Sequence, residues 1–515
     1  MNLSTAVTAV VSTLRRRPAD LLPFYLLGTA VPIIARTGAF LALVGVYLHL
    51  ELSGRLARAR EALADVELTS PPAEVEDPEA VEGWIEENPD AVEQWAEGLL
   101  PVIDAVFTPT TIALLVIGVV LTVLFAVLSY AAVSAGQMNA VFARLRSERG
   151  LTAGIAGVRA HWLTFLGLYL AEIVLWIGVL LLASLAVTVA FLVDPLLGAL
   201  AALVAFLVVL FVLLGIRILF AFAPAAVVVD DASVVGSVSG AGGFVRSNPA
   251  DAAAYLVVAV GVLIGISSAG SALAFVGGGA TVALVSAVVV APALDLLKTV
   301  LYGDYRGRVD PVDPPEAGVR AQFVGGVRRG WSEMVAFVRE TPGLHVLTLA
   351  VGLGAGAVGW LAAAPFVDVV PTSIEARLVG HLPPAATVEF FGNNWTVAIS
   401  TALAGVALAV PALSSIAFNG VVLGAVAALE ENLLVLVAFV VPHGIFEIPA
   451  IIVSGALGVY LGVVGWRTLR GHTDRGGVAD ALERAFWVLV GVGILIAVAA
   501  VIEGFVSPYY WRPFL

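Results

Sequence analysis

His443 and Glu447 stand four residues apart in Pro442-His443-Gly444-Ile445-Phe446-Glu447-Ile448-Pro449, an octapeptide flanked by apolar sequence. An imidazole and a carboxylate held together away from water can share or exchange a proton. The plainer alternative is that they bond to each other, or to backbone groups freed by the two prolines. Titratable side chains inside apolar sequence are costly and so ask for a reason. Two amides belong with them by position. Asn394 lies in Phe390-Phe391-Gly392-Asn393-Asn394-Trp395, and Asn419 in Phe418-Asn419-Gly420. Asn394, Asn419, His443 and Glu447 form the candidate polar cluster, and Pro442, Gly444 and Pro449 the candidate helix break.

The elements that position these residues are membrane spans. Hydrophobic residues make up 60% of the 515 and charged residues 13%, and mean hydropathy is +1.01. That balance excludes an ordinary soluble domain and predicts an all-α, polytopic membrane protein. Apolar runs of spanning length fall near 22–50, 110–134, 162–192, 196–222, 252–275 and 279–301. A second group falls near 344–365, 393–411, 412–429, 445–466 and 485–506, giving about 11 spans in two bundles. Only nine apolar residues separate Asn432 from Pro442. Nine residues rise ~14 Å as helix, half a crossing, so a re-entrant or broken helix is expected near 433–444. There is no cysteine and no HExxH pattern, so no metal site, cofactor or catalytic residue is expected.

Composition divides the chain into an N-terminal six-span domain (1–306), a basic cytoplasmic linker (307–340) and a C-terminal membrane domain (341–515). The linker opens on Arg308-Val309-Asp310-Pro311-Val312-Asp313-Pro314-Pro315 and then carries Arg320, Arg328, Arg329 and Arg339. Arg15-Arg16-Arg17 predicts a cytoplasmic N-terminus, and alternation then places every arginine-rich loop on the same side. The C-terminus falls outside, with Tyr509, Tyr510 and Trp511 as an interfacial anchor. The external loop 52–108 is acidic, with thirteen acidic and no basic residues between Asp65 and Asp104. Within it Asp77-Pro78-Glu79-Ala80-Val81-Glu82-Gly83-Trp84 is echoed by Asn88-Pro89-Asp90-Ala91-Val92-Glu93-Gln94-Trp95, which predicts two short helices. Net charge is −13 and Lys298 is the only lysine. This arginine-rich, acidic, cysteine-free composition suggests the cell membrane of a halophilic archaeon, with a GC-rich bacterial genome as the plainer alternative. Gly352-x-Gly354-x-Gly356 and Gly458-x-x-x-Gly462 are read as faces for close helix crossing.

From about Leu344 to Phe505 the chain resembles the stage II sporulation protein M family of integral membrane proteins. The residues that carry the resemblance are Phe391-x-Asn393-Asn394, Phe418-Asn419-Gly420-x-x-x-Gly424, and Pro442-His443-Gly444-x-x-Glu447-x-Pro449-Ala450. The resemblance implies a membrane protein that acts with partners. The first half is more loosely similar to uncharacterised archaeal six-span domains related to the membrane domain of some glycerophosphodiester phosphodiesterases. That likeness rests on Gly136-Gln137-Met138-Asn139, Phe222-Ala223-Pro224, Asp230-Asp231 and Arg246-Ser247-Asn248-Pro249. The catalytic barrel is absent, so no hydrolase is implied.

The expected function is a non-enzymatic membrane scaffold or envelope-assembly component. It would contact the lipid bilayer and other membrane or envelope proteins, and no nucleic acid. The alternative is a proton-coupled transporter or channel that uses the 442–449 motif.

Overall fold

The computed structural model describes residues 3–64, 85, 88–274, 279–309, 315–367, 372–378 and 380–512. Its helices are α1 (Leu3–Arg16), α2 (Leu22–Leu52), α3 (Arg55–Ala64), α4 (Pro89–Val106), α5 (Pro109–Leu145), α6 (Gly150–Val193) and α7 (Pro195–Asp230). There follow α8 (Val234–Ser247) and α9 (Pro249–Ala274), then α10 (Gly279–Tyr305). The last six are α11 (Val319–Glu340), α12 (Pro342–Ala363), α13 (Pro383–Ala404), α14 (Val410–Leu429), α15 (Leu433–Leu469) and α16 (Arg475–Phe505). Among the described residues the only extended pairing is an isolated bridge, Thr372 with Glu430. The expected all-α, multi-pass architecture is therefore present.

Ten of these helices are long and apolar enough to cross a membrane, against about eleven expected. The difference is α13. Its 22 residues would span ~33 Å, yet Glu389, Asn393 and Asn394 lower its hydropathy, and it is not among the ten. Chain chemistry sets many of the ends. Proline occupies the first turn of α4, α7, α12 and α13, where its missing N–H costs nothing. Asp194 caps α7 by accepting from Leu196 N and Leu197 N, and Asn432 caps α15 in the same way through Leu434 N and Val435 N.

By internal contacts the described chain forms two compact units, one of residues 1–34 with 127–515, the other of residues 35–126. The 307–340 segment does not divide contacts, because both of its flanks lie in the first unit. It holds the 22-residue α11, which packs along α16 with Gly330 against Gly491. In the smaller unit Gly38 meets the backbone of Leu121 and Thr122, and Gly118 meets Ala42, so the two span segments cross closely. There α3 packs on α4. The second copy of the sequence repeat opens α4, an 18-residue helix with Asn88 at its N-cap rather than a short one. The first copy, 77–84, lies outside the described residues.

In the larger unit α16 is the most buried span. Inside the protein lies 56% of its apolar window, against 28% for the next. It packs against α15, α13, α11 and α6.

The expected break at 433–444 is not there. Helix α15 runs unbroken for 37 residues, with Pro442 and Pro449 inside it, so Pro442, Gly444 and Pro449 interrupt nothing. Counting apolar residues up to Pro442 treats proline as a terminator, as it usually is in soluble helices. A buried transmembrane helix tolerates it, because neighbouring helices and local adjustment re-satisfy the freed backbone groups. The row Gly458-x-x-x-Gly462 explains part of the fit. Gly458 packs on Ala412 and Gly462 on Ala409, at the turn joining α13 to α14. In that turn Leu408 and Ala409 both take left-handed backbone, at φ 63° and 67°, a strained conformation for residues with a Cβ.

Candidate functional site

His443 and Glu447 are one turn apart on α15 and so share a face. Two other helices close on that face. Helix α13 is pinned to α16 by Trp395, whose Nε1–H donates to the Leu489 carbonyl at 3.1 Å while its ring lies over Gly493. Gly392, one turn earlier on α13, packs on Thr281 of α10, whose hydroxyl donates to the Val388 carbonyl at 2.7 Å. Fixed from both sides, α13 presents Asn394, whose Nδ2 donates to Glu447 Oε1 at 2.9 Å. Asn393 donates in turn to Asn394 Oδ1 at 3.1 Å, which orients the amide.

The end of α16 supplies the other wall. Ser507, fully buried in the turn after it, lies 2.9 Å from His443 Nδ1 through its hydroxyl. Glu503, one turn before Ser507, completes the cluster. Donor atoms of His443, Glu447 and Glu503 all lie within 4.8 Å of one another. His443 is 6% exposed and its ring meets Phe439 edge-on at 5.6 Å. Glu503 Oε2 is buried and has no hydrogen-bond partner among the described residues.

Two carboxylates this close in a low-dielectric surrounding cannot both be ionised without a large cost. A cation between them removes it, either a proton or a metal ion. Around a tetrahedral zinc ion, donors about 2.1 Å from the metal stand ~3.4 Å apart. A small rotamer adjustment would therefore let His443, Glu447 and Glu503 hold such an ion.

Of the residues singled out from sequence, Asn394, His443 and Glu447 are brought together. His443 and Glu447 have separate hydrogen-bond partners, Ser507 and Asn394. Asn419 does not join them, because its Nδ2 donates to the Ser415 carbonyl of its own helix at 2.8 Å. Glu503 and Ser507 were missed. The signal was present, since Glu503 is the one acid between Ala485 and Phe505. It stands near the end of its span, sixty residues from the His443–Glu447 motif, with nothing local to tie the two together.

A second polar group in the first half makes a useful contrast. Asp295 pairs with Lys298 at 2.7 Å and accepts from the Tyr25 hydroxyl at 2.8 Å. Both of its oxygens are used, as a structural tie requires. Glu503 is the group left with an idle oxygen.

Along α15 Glu447 lies 19 residues, ~28 Å, before Trp466, over whose ring Arg470 stacks at 4.7 Å. That separation is close to the ~30 Å thickness of a hydrocarbon core.

Residues 346–508 match the family described as Stage II sporulation protein M, about a third of the chain. Every member of the cluster, Asn394 through Ser507, falls inside that stretch. No curated protein and no solved structure matches the chain.

Proposed function

We propose that the 346–508 domain is the ion-handling part of a multi-pass membrane protein, in which His443, Glu447 and Glu503 take up a proton or a divalent cation. On this reading the protein is a cation-coupled transporter or channel and not an enzyme. With the arginine-bearing ends cytoplasmic, the N-terminus is inside, the C-terminus outside, and the cluster faces the outer leaflet. The observation that carries the reading is Glu503 Oε2, buried without a partner among the described residues, beside a second carboxylate and an imidazole. Such a group costs stability and is retained where a cation uses it.

The test is one of sign. Glu503→Gln removes the repulsion with little change of shape, so it should raise stability in detergent by about 1–2 kcal/mol. It should also abolish any shift in unfolding temperature caused by zinc, and blunt that caused by pH. A merely structural Glu503 predicts the reverse, a loss of stability. If the variant is destabilised, and the wild type is indifferent to both zinc and pH, the ion reading fails.

The second reading is a membrane scaffold or envelope-assembly component working with protein partners. The family match favours it, and so does the way the cluster's bonds join helices, Asn394 tying α13 to α15 and His443 tying α15 to the turn after α16. Co-purification from the native host separates the two. A stoichiometric membrane partner that stays bound to Glu447→Gln and Glu503→Gln variants would support the scaffold and leave ion coupling without a role.

A further inference from the structure

On the arginine-bearing side, away from the ionisable cluster, Arg15, Arg16, Arg17, Arg149 and Arg329 line one pocket of about 420 Å³. Among the described residues two acids line it with them, Asp20 and Glu483. Several of these charges are already engaged. Arg149 pairs with Asp480 at 2.5 Å, and Arg329 with Glu483 at 3.2 Å. Arg15 reaches Gln322 Oε1 at 3.3 Å and the Ala317 carbonyl at 3.1 Å. Arg16 and Arg17 are exposed and have no partner among the described residues. Among the described residues the pocket thus carries an excess of positive charge and two guanidinium groups without a partner. Trp487 also lines the pocket, with Arg329 stacked over its ring at 4.4 Å.

An apolar cleft of about 580 Å³ is lined by residues of the same two helices, α11 and α16. Gln322 and Arg329 of α11 belong to the pocket, while Phe323 and Val327 line the cleft. Trp487 of α16 belongs to the pocket, and the cleft continues along that helix from Val490 to Ile502, with Trp395 on its flank. Twelve residues of helix are ~18 Å, close to the half-thickness of a ~30 Å hydrocarbon core. A cationic pocket and an apolar cleft of leaflet depth on the same pair of helices together have the two-part chemistry of an anionic phospholipid.

We propose that one anionic phospholipid binds here, its phosphate among Arg16, Arg17 and Arg329 and one acyl chain in the cleft along α16. None of these residues belongs to the ionisable cluster, so the site is independent of the ion reading. A neutral phospholipid fits the cleft but has no net charge to match the arginines. A free phosphate ion fits the pocket but has no use for the cleft.

Native mass spectrometry of the full-length protein, exchanged into detergent with phosphatidylglycerol or phosphatidylcholine, tests it. The wild type should retain phosphatidylglycerol in preference. Arg16→Ala with Arg17→Ala should weaken retention by about tenfold or more. Ala497→Trp, which fills the cleft without touching the pocket, should weaken it as well. Circular dichroism confirms that each variant is folded. Phosphatidylglycerol with brominated tails should quench tryptophan fluorescence, and Trp395→Phe should reduce that quenching. Equal retention of the two lipids, or indifference to the arginine pair, overturns the proposal. If inorganic phosphate displaces the lipid and Ala497→Trp has no effect, the pocket binds phosphate alone and the lipid site is excluded.

Discussion

Asp20→Ala should cost about 3–5 kcal/mol and remove most folded protein from detergent extracts, because it strands a buried charge. Asp20 is 5% exposed. Its two oxygens accept from Gly150 N at 2.8 Å and Leu151 N at 3.0 Å, at the start of α6. Arg149, the residue in the N-cap position, makes no side-chain cap of its own. The cap therefore comes from 130 residues earlier in the chain, and it brings a negative charge to the positive end of the helix dipole. The same carboxylate lies 3.5 Å from Arg144 Nη1, with the two side chains only 7% and 4% exposed. Among the described residues Arg144 Nε already lacks a partner, so losing Asp20 leaves a guanidinium with only the Glu148 carbonyl among them to satisfy it. Asp20→Asn keeps an acceptor for one N–H and should lose about half as much. Pairing Asp20→Ala with Arg144→Met should recover a large part of the loss, since no unpaired charge remains. Thermal unfolding of the four variants gives the cycle. A loss below about 1 kcal/mol for Asp20→Ala would mean that water reaches Arg144 and the pair is not buried.

Nothing in Pro18-Ala19-Asp20 announces that role, and the reason is general. Apolar periodicity is a local property, so the spans were legible in the sequence, down to the polar turn Asp194-Pro195 between α6 and α7. Partners brought together by folding are not local. Asn394 and Asn419 looked equivalent, each an amide set in an apolar run. One reaches Glu447 across two helices and the other bonds back four residues to Ser415, a distinction made by helix rotation. The unbroken α15 was hidden for a similar reason. Whether Pro442 ends a helix depends on what surrounds the freed carbonyl, and the sequence does not contain that surrounding. Glu503 is the instructive omission. An acid near the end of a span reads as interfacial until packing shows that one of its oxygens is buried and idle.

Helix crossing provides the other large effect. Gly424→Leu should destabilise the protein by about 3 kcal/mol or more, while Gly354→Leu should change stability by less than about 0.5 kcal/mol. Helices α12 and α14 run parallel and touch backbone to backbone. A Cβ on Gly424 would strike the Gly356 carbonyl, one on Gly420 the Gly352 carbonyl, and one on Gly359 the Val421 carbonyl. No flexible side chain stands at these contacts to give way, so a larger residue must push the helices apart. The sequence reading grouped Gly352, Gly354 and Gly356 as one face, but residues two apart on a helix lie on opposite sides. Gly354 is exposed, with no atom near enough to obstruct a side chain. The pair of variants thus separates close packing from the mere presence of glycine. The consequence reaches the ionisable cluster, because α14 continues from the turn on which Gly458 and Gly462 of α15 rest. Forcing α14 away from α12 shifts the support under α15, the helix that carries His443 and Glu447. Milder substitution at the same seam, Gly424→Ala, should therefore weaken the zinc and pH responses before it unfolds the protein. Unchanged responses in a destabilised Gly424→Ala variant would show that the cluster is held by α13 and α16 alone.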